Sequence, residues 1–272
     1  MPVDMHVHTS ASDGTDSPVE VVARAKEIGL EAIAITDHDT VEGIKPAMEA
    51  GHVFGIEVIP GIELSTESNE EEIHILGYLL DITDKEFLKT ISLFRSYRLK
   101  RVEQMVGKLQ KLGLPVVMDR VMAFSGTGSV GRPHLAAAMV EAGVVNDLAE
   151  AFDKFIGKGC PAYVPRYKIE PAEAVQLIRK ANGLPVLAHP GLSYSSKSIL
   201  ELVQKGLIGI EAYHPSHSRE LSEYYRKLGE EYNLIITGGS DYHGVGHKEG
   251  QGLGMVTVSY AVLQEMKNRK GT

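Results

Sequence analysis

The sequence predicts an α/β fold built on a mostly parallel sheet, either open or closed into a barrel. Seven short apolar segments have the composition of strands, and most are separated by amphipathic helical segments. The alternation occurs on both sides of a purely helical stretch. The 272 residues suffice for one large domain, since α/β barrels often reach this length as single units.

The first part of the chain accounts for four strands and two helices. Strands are predicted at 3–8, 31–36, 57–64 and 72–80. The first helix is expected to follow Ser17 and run to about Gly29, because Ser17, Pro18 and Glu20 form a capping box with proline at the first helical position. The second helix is predicted in VEGIKPAMEAG, where Pro46 could introduce a kink.

A helical stretch from residue 84 to 163 interrupts the alternation. Its segments DKEFLKTISLFRSYRLKRVEQMVGKLQKLG, RPHLAAAMVEAG and NDLAEAFDKFIG have helical periodicity. We interpret it as a helical insertion. Afterwards, helices are predicted near 171–181, 197–205 and 217–231, and strands at 184–189, 209–214 and 234–241.

The composition argues against several classes of protein. Asp and Glu outnumber Lys and Arg by 36 to 28, so the chain is not expected to bind long duplex nucleic acid, which needs a basic surface. The single cysteine, Cys160, excludes an intrachain disulfide and fits a reducing compartment. No apolar run is long enough for a membrane helix and no signal-peptide pattern is present, so a cytoplasmic location is expected.

Side chains capable of chemistry collect at the ends of the predicted strands. In parallel α/β folds these ends and the loops that follow them form the functional rim. The residues concerned are His6, His8, Asp13, Asp37, His38, Glu63, His74, His189, Asp241 and His243.

The first group, in VDMHVHTSASDGT, has the spacing of a metal site. His6 and His8 point to one face of a strand because side chains alternate with period two, and a separation of ~7 Å along the strand lets two imidazoles reach one ion. The alternative is a pair of hydrogen-bonded histidines on a half-exposed strand. Asp13 in the following turn favours the metal site.

The other rim motifs allow structural as well as functional interpretations. In ITDHDT, Asp39 or Thr40 fits a helix cap, whereas His38 has no capping role and is the better ligand candidate. Glu63 follows an apolar strand, where a lone carboxylate is unfavourable unless paired or metal-bound. His74 on its own fits a core histidine bonded to backbone. LAHP and GGSDYHG add His189, Asp241 and His243.

Together these motifs resemble those of a known family. HVHTSASDGT, ITDHDT, PGIELS, IHILGY, LAHP and SDYHG are similar, in order and spacing, to the metal motifs of the PHP (polymerase and histidinol phosphatase) superfamily. GRPHLA, KFIGKGCPAYVPR and AYHPSHS resemble its stand-alone branch of 3′,5′-nucleotide bisphosphate phosphatases and 5′–3′ exoribonucleases. The resemblance implies a distorted (β/α)7 barrel at 1–83 and 164–272 that carries a metal centre, with the insertion at 84–163 contributing to the substrate cleft.

The resemblance also implies three divalent ions, with Mn²⁺ favoured and Fe²⁺ or Zn²⁺ as alternatives. The first ion would be held by His6, His8, Glu63 and Asp241. The second would be held by Asp13, His38 and His243. The third would be held by His74, His189 and Glu63, which bridges two ions. Three ions, three carboxylates and a bridging hydroxide leave a charge of about +2, which suits a phosphate dianion.

The expected reaction is hydrolysis of phosphate from small nucleotides such as 3′-phosphoadenosine 5′-phosphate (pAp), or from short 5′-phosphorylated RNA, by attack of a metal-bridging hydroxide. The catalytic candidates are Glu63, Asp241 and His217, the last as a proton donor to the leaving alkoxide. Substrate contacts are expected from Arg132, His134, His214, His217 and Lys158. The basic run Arg95, Arg98, Lys100 and Arg101 is interpreted as a solvated helix face that could guide a short oligonucleotide.

Three other functions compete with this hypothesis. One is a phosphatase of another small monoester such as histidinol phosphate. Another is C–N hydrolysis in an amidohydrolase barrel, which also begins with HxH but lacks the SDGT and TDHD elements. The third is a non-catalytic, metal-stabilised binding module, although stability alone explains a complete ligand set poorly.

Overall fold

Within the described residues of the computed structural model, eight strands form one sheet that curves into a nearly closed barrel. The structure describes residues 1–68, 71–126, 128–167, 169–191, 195–244 and 252–271. The strands are β1 Pro2–Val7, β2 Ala32–Ile35, β3 Glu57–Ser68, β4 Glu71–Tyr78, β5 Leu184–Leu187, β6 Gly209–Tyr213, β7 Ile235–Gly238 and β8 Val258–Ser259. Their order in the sheet is β7-β6-β5-β4-β3-β2-β1-β8. The barrel approaches closure where the His8 amide donates to the Tyr242 carbonyl at 2.8 Å, just beyond β7.

The helices follow the predicted alternation. They are α1 Pro18–Glu27, α2 Ile44–Phe54, α3 Lys85–Lys111, α4 Met118–Ser125, α5 Arg132–Glu141, α6 Leu148–Ala151, α7 Pro171–Lys180, α8 Ser196–Gln204, α9 Arg219–Glu231 and α10 Tyr260–Lys270. A π-helical turn, Phe152–Ile156, continues α6. The predicted capping box is present at the start of α1, where Ser17 and Glu20 bond each other's backbone amides. None of the described helices is both long and apolar enough to cross a bilayer.

The sheet departs from parallel pairing at β4 and at β8, and the direction of β4 decides where His74 lies. β4 runs antiparallel to both β3 and β5. The register pairs Ser65 of β3 with His74 of β4. His74 is therefore near the amino end of its own strand, yet it reaches the same rim as Glu63 at the carboxyl half of β3.

Separate clusters of buried side chains support the barrel and the helical stretch. Ile62, Ile75 and Leu187 of the sheet pack with Ile178 of α7 and Tyr225 of α9. A second cluster is made only of residues between Val102 and Val164. The helical stretch thus has a hydrophobic core of its own.

The structure confirms the predicted fold class and differs in a few elements. β8 and α10 are additional; β8 has only two residues, too few for a periodic pattern, and pairs antiparallel with the start of β1. Pro46 lies in the first turn of α2, where its missing N–H would have no helical partner, and so the helix is continuous. The predicted cap role of Asp39 is wrong, because Gly43 occupies the N-cap position of α2.

Candidate metal centre

The barrel rim brings the nine sequence-predicted ligand residues into four overlapping groups. Within each group the potential ligand atoms all lie within 4.8 Å of one another. The groups are His8, Asp13, His38 and His243; His6, His8 and Asp241; His6, Glu63 and His189; and His38, Glu63 and His74. His6, His8 and Glu63 are essentially inaccessible to solvent.

One closely spaced set consists of His6, His8, Glu63 and Asp241. The Nε2 atoms of His6 and His8 are 3.1 Å apart. Glu63 Oε2 lies 3.4 and 3.3 Å from these two nitrogens, and Asp241 Oδ1 lies 3.3 and 3.2 Å from them. Atoms 3.1 to 3.4 Å apart can share one divalent ion at about 2 Å from each, which is the distance at which imidazole nitrogens and carboxylate oxygens bind such ions.

Orphaned polar atoms support a cation at this rim. The buried atoms His8 Nδ1, Asp13 Oδ1 and His38 Nδ1 accept or donate no hydrogen bond within the described residues. Buried polar atoms normally have a hydrogen-bond partner, and a bound ion is one of the standard reasons for an exception. The residues present therefore fit divalent metal ions.

Glu63 lies at the centre of the cluster and contacts most of its histidines. In addition to the contacts of Oε2 with His6 and His8, this oxygen lies 3.0 Å from His38 Nδ1. Oε1 lies 2.8 Å from His74 Nδ1 and 3.1 Å from His189 Nε2. A single carboxylate thus faces five imidazoles. His74 contacts carboxylates and is not a core histidine bonded to backbone, the alternative allowed by the sequence.

Asp13 is held in place by a residue whose role sequence reasoning missed. The buried Asp37 accepts hydrogen bonds from Thr9 N at 2.8 Å, Thr9 Oγ1 at 2.8 Å and Ser12 Oγ at 2.7 Å. These bonds shape the turn that brings Asp13 within 3.8 Å of His38 Nε2 and 3.5 Å of His243 Nε2. The sequence carried a signal for this role: Asp37 in TDHD directly follows a buried strand, where an aspartate needs several hydrogen-bond donors.

Glu211 of β6 was also missed and lies directly behind the cluster. It is completely buried and accepts from His6 Nδ1 at 3.0 Å and from the His189 amide at 2.9 Å. A carboxylate bonded to Nδ1 fixes the tautomer and leaves Nε2 free to bind metal. Glu211 in GIEAY is an isolated carboxylate in an apolar strand, which is the same signal that indicated Glu63.

The loop after β7 has special backbone geometry. Asp241 has φ of 49°, the left-handed region that aspartate tolerates better than most residues. Two positions earlier, a Cβ on Gly239 would lie only 2.4 Å from the backbone of His6. A glycine is needed there because the chain passes so close to the first metal motif.

In the ion-free site, the facing histidines and carboxylates shift each other's pKa values. Burial opposes ionisation, yet the facing histidines hold the pKa values of Asp13, Glu63 and Asp241 well below the usual range. Burial also opposes protonation of the imidazoles, but the carboxylates raise the pKa of His8 to about 10 and that of His74 to about 9. Burial lowers the pKa of His38 to about 3.

These pKa shifts predict that metal binding releases protons. Near pH 7 the ion-free protein carries protons on His8 and His74, and the facing carboxylates also raise the pKa of His6 well above its usual value despite its burial. A metal must displace these protons, so its apparent affinity rises with pH and loading releases roughly three protons. Calorimetric titration with Mn²⁺ in two buffers of different ionisation enthalpy measures this release. Heats that do not depend on the buffer, with an affinity that stays flat between pH 6 and 8, would contradict it.

The cleft above the cluster has a volume of about 580 Å³ and a wall of arginines. Arg98, Arg101, Arg132 and Arg166 line it. Arg98 Nε bonds Asp39 at 2.5 Å and Arg98 Nη2 bonds Ser65 at 2.8 Å. Arg98 and Arg101 therefore face the cleft, unlike the solvated helix face expected from sequence. Arg166 was not singled out by its sequence context.

The predicted substrate residues divide between the cleft and its surroundings. Arg132 lines the cleft and bonds Glu72 at 3.0 Å. His214 also lines it, with Nε2 at 3.4 Å from Asp241 Oδ2. His217 packs behind His214 and receives a hydrogen bond from the Gly191 amide. His134 accepts from the Gly131 amide at the start of α5, and Lys158 is exposed in a turn; neither lines the cleft as described.

Comparisons with known proteins agree with the motifs. The PHP domain model matches residues 4–242. The 5′-3′ exoribonuclease of Haemophilus influenzae is 33% identical over 246 residues, which cover 88% of this chain and 89% of the relative. The 3′,5′-nucleoside bisphosphate phosphatase of Chromobacterium violaceum is 30% identical over 250 residues, which cover 90% of this chain and 88% of the relative.

A solved structure supports the same assignment. A Bifidobacterium adolescentis protein, described as a candidate metal-dependent phosphoesterase, is 30% identical and superposes with a TM-score of 0.92. The superposition covers 98% of this chain and 96% of the other. The resemblance seen in the sequence is thereby confirmed, and the chain belongs to the PHP domain family.

Proposed function

We propose that this protein is a metal-dependent phosphoesterase that removes phosphate from small nucleotides such as pAp and from short 5′-phosphorylated RNA. The observation that carries the proposal is the close approach of His6, His8, Glu63 and Asp241 at the base of a cleft whose wall is rich in arginine. Names of relatives that act on nucleoside bisphosphates and on RNA support the same class of substrate.

The site would hold three divalent ions, with Mn²⁺ as the favoured metal. The first would bind His6, His8, Glu63 and Asp241, the second Asp13, His38 and His243, and the third Glu63, His74 and His189. The overlapping groups around Glu63 support shared ligation by that carboxylate. When bound, such ions lower the pKa of coordinated water and neutralise charge on phosphate oxygens.

The protein's own residues position and neutralise the substrate. Arg132 and Arg166 face the cleft and would bind phosphate oxygens, exchanging their present partner Glu72 for the ligand. His214, whose buried Nε2 has no hydrogen-bond partner among the described residues, is placed to hold a proton for the leaving oxygen. His217, the proton donor expected from the sequence, would instead position His214, whose ring it contacts. His134 and Lys158 would act at the edge of the cleft.

The same geometry supports a proposed division of the chain into two units. Residues 1–83 and 164–272 would form the barrel that carries the metal centre, and residues 84–163 a helical insertion that closes the cleft. The separate hydrophobic core between Val102 and Val164 supports this division, as do the residues of α3, α5 and α6 that line the cleft.

Phosphate release from pAp by the Mn²⁺-loaded protein tests the function. We expect Mn²⁺-dependent turnover of pAp that exceeds turnover of histidinol phosphate. Asp241→Asn, which removes one of the four ligands proposed for the first ion, should lower kcat/KM by about 100-fold or more, since even outer-shell partners of a metal cost 10- to 100-fold.

The control is Asp153→Asn, a change at an exposed aspartate outside the metal groups, which should behave like the unmodified protein. A full metal complement without hydrolysis of any phosphoester would favour the non-catalytic binding module. Preferential cleavage of a C–N bond would favour the amidohydrolase chemistry instead.

A further inference from the structure

A stacked pair of tyrosines, one exposed and one half-buried, lies beside the cleft and has no part in the chemistry described so far. The rings of Tyr97 and Tyr167 stack in parallel, with centroids 4.0 Å apart and an angle of 2° between their planes. Phe94 lies 6.4 Å from Tyr167. Tyr167 is 51% exposed and Tyr97 is half-buried, so the aromatic surface open to solvent is mainly that of Tyr167.

The arginine wall connects this aromatic pair to the metal centre. Both tyrosines line a small pocket of about 40 Å³ together with Arg98, Arg101 and Arg166. These same three arginines line the main cleft over the metal-ligand cluster. On the far side, Phe94 and Tyr167 line a groove that continues to Lys180 and Lys205. A ligand longer than one nucleotide could therefore run from the metals past the arginines to the tyrosines.

The arginines on this path have more positive charge than the local carboxylates neutralise. Arg98 pairs with Asp39, and Arg132 and Arg166 share the single carboxylate of Glu72. Arg101 Nε donates only to the Val164 carbonyl among the bonds described for it. Arg166 Nη1 is buried without a hydrogen-bond partner in the described part of the chain. Burial, with the neighbouring Arg132 and Arg166, lowers the pKa of Arg101 to about 10.

We propose that the Tyr97–Tyr167 pair stacks a nucleobase of an oligonucleotide substrate, whose backbone phosphates follow Arg98, Arg101 and Arg166 while its terminal phosphate lies at the metal centre. The proposal rests on the proposed phosphoesterase function and adds a specificity subsite to it. Aromatic platforms beside basic grooves bind single-stranded nucleic acid irrespective of base identity, because every base has a π face. The acidic net charge of −8 agrees with a short path and not with an extended basic surface.

A fluorescence experiment tests the subsite without turnover. The chain contains no tryptophan, so Tyr167→Trp introduces a single reporter at the platform. A 5′-phosphorylated pentaadenylate with phosphorothioate linkages should quench its emission, and an abasic oligonucleotide of the same length should not. Tyr224→Trp places the reporter at an exposed tyrosine of α9 and should remain unquenched. Equal quenching by the abasic and base-bearing oligonucleotides would overturn the proposal.

Kinetics provide the second measurement. Tyr167→Ala should lower kcat/KM for the natural pentaadenylate about tenfold, the size expected for one stacked base, while Tyr167→Phe keeps the ring and the rate. Hydrolysis of pAp should change by less than about twofold in both variants, because the effect of one stacked base applies only to the longer substrate. An equal loss on both substrates would overturn the subsite. Absence of pAp hydrolysis by the unmodified protein would instead contradict the phosphoesterase function, and the quenching result would still stand by itself.

Discussion

Glu63→Gln should abolish phosphoesterase activity and remove the ions that this residue shares. Both carboxylate oxygens face imidazole nitrogens, at distances between 2.8 and 3.4 Å. Glutamine has nearly the same shape, but its NH₂ group is a hydrogen-bond donor and cannot bind a cation. It would face the imidazole nitrogens that are proposed to bind the metal ions. Because loss of an outer-shell partner already costs 10- to 100-fold, we expect kcat/KM to fall by at least about 100-fold.

Elemental analysis of the purified variant measures the metal content, and phosphate release from pAp measures the activity. The matched control is Glu57→Gln at the other end of the same strand, where Glu57 bonds the Tyr260 hydroxyl and pairs with Lys267. That variant should keep its metals and its rate. A Glu63→Gln protein with a full metal complement and a rate within tenfold of the unmodified protein would show that Glu63 bridges no ion.

The sequence was sufficient for the features that depend on local chemistry. Short apolar segments separated by capped helices predict the α/β class, and the capping box of Ser17 and Glu20 formed as expected. The alternation of side chains along β1 and the residue after it directs His6 and His8 to the same side, and their Nε2 atoms indeed lie 3.1 Å apart. Glu63 was singled out because a lone carboxylate beside an apolar strand is unfavourable unless it is paired or bound to metal. In the structure Glu63 is indeed buried, and it faces imidazoles.

Features that depend on pairing between distant segments could not be predicted in this way. His74 reaches the rim only because β4 is antiparallel to β3, and nothing in IHILGY specifies that direction. Arg98 meets Asp39 across 59 positions of sequence, and Arg166 meets Glu72 across 94, so the arginine wall exists only after the helical stretch has packed on the barrel. The charge run around Arg98 looks solvated in sequence because its partner is remote.

Glu211→Gln should weaken metal binding without removing a metal ligand. One oxygen of Glu211 accepts from His6 Nδ1 at 3.0 Å, and the other accepts from the His189 amide at 2.9 Å. Both partners are donors if His6 binds metal through Nε2. Glutamine offers only one acceptor oxygen, so its NH₂ group must face one of these donors in a completely buried site. His6 or the loop carrying His189 would then lose its orientation.

The expected effect is an apparent Kd for Mn²⁺ that is about 10- to 100-fold weaker, with kcat largely restored at saturating Mn²⁺. Restoration by excess metal separates a positioning role from general damage to the fold, which added metal would not repair. Glu230→Gln on the exposed surface of α9 serves as control and should leave the Mn²⁺ dependence unchanged. If Glu211→Gln also left it unchanged, the bond to His6 Nδ1 would be irrelevant to ligation. A lower kcat at every Mn²⁺ concentration would instead mean that Glu211 supports the barrel and does not orient His6.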